Sequence, residues 1–162
     1  MTAGTHWLNH EEQASWRAYL RASRQLWVQL DRDLQREFDL SLAEYEIMSM
    51  VSEAPGRRLR MSALAQIVVQ SRSRLTHTAK RLEERGLVER VPVTDDRRGV
   101  ELVLLDSGMA LVNKASHLHV QGVREHLIDL LDPQQFAALG AASARISEHL
   151  SDVPVSAPNM AL

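Results

Sequence analysis

From residue 71 to residue 81 the chain sets Ser71, Arg72, Ser73, Arg74, Thr76, His77, Lys80 and Arg81 within three helical turns. Guanidinium forks, an ammonium, hydroxyls and an imidazole at such intervals suit an acidic, hydrogen-bonding surface such as the phosphates and base edges of a duplex. At roughly 100° per residue, Leu75, Ala79 and Leu82 fall on one narrow arc. Ser73, Arg74, His77, Lys80, Arg81 and Glu84 fall on the opposite one. A merely solvated helix carries the same residue types. What separates the two readings is the segment just beyond, where Arg97 and Arg98 stand in a polar turn over residues 94–99, flanked by aliphatic and β-branched runs at 87–93 and 100–105. A basic hairpin tip beside a basic helix favours DNA binding.

Bond-making chemistry finds little support. His117 and His119 point to opposite sides of a helix, and His6, His10, His126 and His149 follow no ligand spacing, so no metal is expected. The pairs Glu11-Glu12, Glu83-Glu84 and Asp95-Asp96 are adjacent, so their carboxylates diverge instead of flanking a substrate. There is no P-loop, no GxGxxG and no GxSxG, and the chain has no cysteine, which excludes thiolate metal sites, disulfides and thiol redox sensing. No enzyme activity and no cofactor are expected.

The elements that must position the basic residues can be read from capping and periodicity. Residues 9–38 hold neither Gly nor Pro, and Trp16, Leu20, Trp27, Leu30 and Leu34 recur at helical steps. A helix of that length spans roughly 45 Å, more than a small lobe covers, so part of it is expected to meet another chain. Ser41 and Glu44 form a capping box for a second helix with Tyr45, Met48 and Val51 on its buried stripe, ended by Pro55-Gly56. Residues 57–60 make a short connection, and Ser62 is expected to cap a third helix bearing Leu64, Ala65, Ile67 and Val68. The fourth helix, 73–85, stops at Gly86. Asp106 is expected to cap a fifth, with Leu111, Ala115, Leu118 and Leu127 on its stripe. Asp132, Pro133 and Gln135 open a sixth, with Phe136, Leu139, Ser143, Ile146 and Leu150. Short helix, turn, basic helix and hairpin is the winged helix-turn-helix order.

The run from Ser71 through Arg-Leu-Glu-Glu-Arg-Gly-Leu-Val at 81–88 to Arg90, then Asp96-Arg97-Arg98 and Leu104-Leu105-Asp106-Ser107-Gly108, resembles the MarR family of bacterial transcription regulators. The resemblance implies DNA contacts from Ser71, Arg72, Arg74, Thr76, His77 and Lys80 on the recognition helix and from Arg97 and Arg98 in the wing, with Asp96 holding a wing arginine. Leu105 departs from the Thr of many members. The resemblance also implies a repressor released by a small hydrophobic or anionic effector. Trp16 and Tyr19, in a chain only 4% aromatic, together with Met48 are the pocket candidates, although aromatics at helical spacing are more often packing residues.

The charge distribution agrees. The whole chain of 162 residues carries -2, but residues 57–98 hold eleven Lys/Arg against five acidic residues, net +6, leaving -8 for the rest. No apolar run is long enough for a bilayer and no signal peptide is evident, so a cytoplasmic location is expected. The expected architecture is α+β and mostly helical, with residues 1–40 an N-terminal dimerisation helix and 41–105 a winged helix-turn-helix lobe. C-terminal dimerisation helices follow at 106–151 and a flexible tail at 152–162. The expected function is that of a homodimer on a pseudo-palindromic operator in double-stranded DNA, repressing by occlusion. A winged helix used for protein contact and a DNA-binding dimer without small-molecule control are the alternatives.

Overall fold

The computed structural model describes residues 4–68, 71–93 and 96–150, with the side chains of residues 96–98 outside the description. Residues 1–122 form one compact unit and 123–162 a second.

In the first unit, α1 (His10–Phe38) opens on a reciprocal cap, in which Asn9 Oδ1 accepts from the Glu12 amide at 2.9 Å and Glu12 Oε2 from the Asn9 amide at 2.8 Å. Asp39 ends it in the left-handed region at φ 50°. The expected capping box starts α2 (Leu42–Glu53), the Ser41 hydroxyl accepting from the Glu44 amide and the Ser41 amide donating to Glu44 Oε2 at 2.8 Å. After Pro55-Gly56 come β1 (Arg58–Arg60) and α3 (Met61–Ile67). Ser62 does not cap α3. Arg60 is the N-cap residue and makes no side-chain cap, because β1 stays paired with the sheet up to Arg60 and the chain turns straight into the helix at Met61. Ile67, expected on the buried stripe, is 41% exposed at the helix end.

Next come α4 (Arg72–Glu84), β2 (Val88–Val93), β3 (Asp96–Leu104) and α5 (Asp106–His126). The sheet is antiparallel in the order β1-β3-β2, with Leu59 opposite Leu102 and Val88 opposite Leu104. Residues 96–99, expected in the turn, are extended. Val93 pairs with Asp96 after a register slip at Pro92, which has no N–H to offer the ladder. Asp106 is the first residue of α5, not its cap, and its carboxylate takes Arg57 Nη1 at 2.9 Å. Leu127 lies past the helix end.

The core joins Leu34 and Leu40 to Ile47, Met48 and Val51 of α2, Leu64 of α3, Leu75, Ala79 and Leu82 of α4, and Leu102 of β3, all essentially without exposure. Each large aliphatic side chain so buried contributes about 1.5–3 kcal/mol. The α1 stripe divides. Leu30 and Leu34 are buried, whereas Trp16 and Trp27 are half exposed.

In the second unit Arg124 pairs with Asp129 at 2.8 Å, and Asp132 and Gln135 exchange cap bonds at 2.8 and 3.0 Å ahead of α6 (Pro133–Leu150). Phe136, Leu139, Ile146 and Leu150 of α6 are all exposed. Residues 152–162, expected as a tail, lie outside the described residues. Among the described residues no helix is long and apolar enough to cross a membrane.

Candidate nucleic-acid interface

The helix that carries the basic residues is fixed from inside. Ser71 caps α4, its hydroxyl accepting from the Arg74 amide at 3.3 Å, so the helix starts one residue earlier than its periodicity suggests. Leu75, Thr78, Ala79 and Leu82 are buried. Ser71, Arg72, Ser73, Arg74, Thr76, His77, Lys80 and Arg81 are exposed, so the structure brings all eight predicted residues of this helix to one side of it.

They are not equivalent. The Thr76 hydroxyl donates back to the Arg72 carbonyl at 2.8 Å, which holds it against its own helix. Lys80 Nζ stands 3.7 Å from Glu84, an exposed pair worth little. Arg81 Nη2 donates to Glu44 Oε1 of α2 at 2.8 Å. The side chains of Arg72, Arg74 and His77 make no hydrogen bond or ion pair with any described residue. Their donors are therefore available, and they occupy the first half of α4, where the helix dipole adds its positive end.

The far end of α4 is fastened to the hairpin. Glu83 accepts from the Arg90 amide at 2.9 Å and from its guanidinium at 2.9 and 2.6 Å, and those bonds hold its carboxyl below the usual carboxylate range. Gly86 sits at φ 67°, the left-handed stop that the sequence predicts. Beyond it the Leu105 amide donates to the Leu87 carbonyl at 3.1 Å and the Ser107 hydroxyl to the Gly86 carbonyl at 2.6 Å. Gly108 comes so close to the Leu87 carbonyl and to Leu104 Cδ1 that a Cβ would have no room. In the wing the backbone of Asp96, Arg97 and Arg98 belongs to β3, while their side chains, and with them the expected contacts, lie outside the described residues.

The pocket candidates do not converge. Trp16 and Tyr19 stack at 6.1 Å between ring centroids on the half-exposed part of α1, whereas Met48 is buried in the core. A cleft of 480 Å³ opens elsewhere, lined by Trp27, Asp31 and Arg32 of α1, Ala43 and Glu46 of α2 and Arg74 of α4. Burial raises the Glu46 carboxyl above its usual range. Among the histidines, His119 stands apart. Its ring lies 4.7 Å from that of Tyr45, its Nδ1 is buried without a partner among the described residues, and burial lowers its pKa. Among the described residues no group of three or more His, Asp or Glu side chains is placed to hold a metal ion.

A MarR family profile matches residues 38–99, from the end of α1 to the wing. Over 129 residues the chain is 32% identical to the HTH-type transcriptional regulator PecS of Dickeya dadantii (strain 3937), covering 75% of each protein. The chain belongs to the MarR family. Among solved structures, AbsC, a MarR family transcriptional regulator from Streptomyces coelicolor, is 44% identical with a TM-score of 0.86, over 90% of this chain and 98% of that one. Sco3205, a MarR family regulator of the same organism crystallised in complex with DNA, is 37% identical with a TM-score of 0.89, over 93% and 94%. This MarR-family protein is a DNA-binding transcription regulator and not an enzyme.

Three features of this MarR-family chain are absent from the sequence reading. The Glu44 to Arg81 pair joins residues 37 apart, and the Leu42 amide, at the start of α2, donates to Asp31 of α1 at 2.8 Å. The cleft lined by Trp27 and Arg74 is likewise assembled from three helices. Separations of this size leave no periodic signal. Only the bond between Glu83 and Arg90, seven residues apart inside the resemblance motif, had a local trace.

Proposed function

We propose that this regulator acts as a homodimer that represses transcription by occupying a pseudo-palindromic site in double-stranded DNA, with α4 of each copy in a major groove. The observation that carries the reading is the free trio Arg72, Arg74 and His77 on the exposed face of a helix whose other face is core. Such a helix fits a major groove, and an arginine fork matches guanine O6 and N7. Ser71, Ser73, Thr76 and Lys80 supply phosphate contacts around them, and Arg97 and Arg98 do so from the wing. Dimerisation rests on the apolar faces of α1 and α6, where Trp16, Trp27, Phe136 and Ile146 are exposed in the single chain. Residues 1–40 and 106–151 then supply the dimerisation helices and 41–105 the DNA-binding lobe, with the two α4 helices about 34 Å apart.

Release by a small effector is part of the same reading. The 480 Å³ cleft presents an indole face, two guanidinium groups and two carboxylates, a lining suited to a small aromatic or anionic molecule. Because Arg74 lines it, an occupant would compete with DNA for that guanidinium. The test is selection of duplexes from random sequence by the full-length protein, followed by binding at several salt concentrations. Recovery of an inverted repeat whose affinity falls steeply with salt is the expected result. Failure to enrich any sequence would favour a winged helix used for protein contact.

A further inference from the structure

The Glu44 carboxylate has no solvent exposure, yet the guanidinium groups of Arg81 in α4 and of Arg85, its C-cap residue, reach it. Its Oε2 accepts from the amide and hydroxyl of Ser41, each at 2.8 Å. Its Oε1 accepts from Arg81 at 2.8 Å and lies 3.9 Å from Arg85 Nη1. Arg81 and Arg85 are one turn apart, so both reach the same oxygen from one edge of the helix. Only the carboxylate is buried, Arg81 keeping 51% of its side chain exposed; desolvating Glu44 offsets much of the attraction, so the pair acts more on geometry than on stability. The apolar contacts of Leu75, Ala79 and Leu82 do not have that directionality. They set which face of α4 meets the core, and directional bonds, at Glu44 on one edge and between Glu83 and Arg90 at the far end, trim its final orientation. The start of α2 is itself tied to α1 through the bond from the Leu42 amide to Asp31. The line of polar contacts therefore runs from α1 through α2 to α4.

We propose that Glu44 is a positioning residue for DNA recognition. Through Arg81 and Arg85 it sets the rotation of α4, and so the direction in which Arg74 and His77 leave the surface. Arg81 serves this tether and not a phosphate. The proposal rests on the reading of α4 as the DNA-reading helix, and the experiment separates the two.

The full-length protein first selects a duplex from random sequence. Native, Glu44→Gln, Arg81→Gln and doubly substituted proteins, each checked for native helical content, are then titrated with that duplex and with an unrelated one over a range of salt. Each single variant is expected to lose about tenfold on the selected duplex and little on the unrelated one, and the double variant no more than the worse single. The salt slope is expected to stay at the native value, because no phosphate contact is lost. Weakening of both duplexes by Arg81→Gln, with the slope reduced by about 0.9, would make Arg81 a phosphate clamp and overturn the proposal. Unchanged affinity for the selected duplex in both single variants would overturn it as well. If Glu44→Gln does not fold, Arg81→Gln and Arg85→Gln, which alter only the outer partners, carry the same comparison. A native protein that selects no duplex refutes the reading of α4 instead.

Discussion

Arg74 is the side chain on which sequence and structure agree most closely. It is exposed, has no polar partner among the described residues and leaves the helix one residue before the buried Leu75. Arg74→Ala is expected to cost about 1–3 kcal/mol per half-site and to relax preference at one symmetric base pair, whereas Lys80→Ala weakens all duplexes about equally. Titrating each variant against the selected site and its single-base substitutions checks this, and a uniform loss for Arg74→Ala would move base reading to Arg72 or His77. The exposure of these residues was legible because a 3.6-residue period forces Leu75, Ala79 and Leu82 to one side. The engagement of Arg81 was not, because its partner Glu44 already had a complete local explanation as the second half of a capping box.

At the scale of elements, β2 and α5 meet closely at Gly108. Gly108→Ala drives a methyl group against the Leu87 carbonyl and Leu104, and is expected to destabilise the fold by about 1–3 kcal/mol in urea titrations. A second prediction concerns the contact of α5 with α2. Burial holds the His119 imidazole below its usual range, against a Tyr45 hydroxyl that burial raises. The unfolded chain therefore takes up the proton at higher pH than the folded one. The stability that neutral His119 contributes is complete above about pH 6.5 and is lost as pH falls through the folded value. Between pH 7 and pH 5 the urea midpoint of the native protein should fall further than that of His119→Gln, and equal falls would remove the histidine from the explanation. Helix order and most boundaries were legible because caps such as Ser41 and Asp132 have local chemistry. The start of α3 and the hairpin tip were not. A serine two residues past the true N-cap looks like a cap, and charged residues look like a turn even where the backbone is still paired.

For the molecule as a whole, the apolar stripes of α1 and α6 that are exposed in the single chain carry the proposed dimer. Sedimentation at micromolar concentration is expected to give a dimer, and Ile146→Glu, at a position 51% exposed in the single chain, should weaken association by at least about tenfold without unfolding the lobe. A native protein that sediments as a stable monomer would refute the assembly. The sequence made the uncovered stretch of α1 visible as excess, a helix longer than its own lobe needs. It could not say which stripe residues remain uncovered, since that depends on how far the lobe reaches along α1. Those stripes also bear on gene dosage. If the proposed dimer is the DNA-binding species, then where chains are scarce and it is mostly dissociated its concentration grows with the square of the chain concentration, so doubling expression raises it about fourfold. A promoter under such a protein would respond to small changes in copy number with a threshold, a steepness that comes from the uncovered tryptophans and the bare face of α6 and not from the helix that reads the DNA.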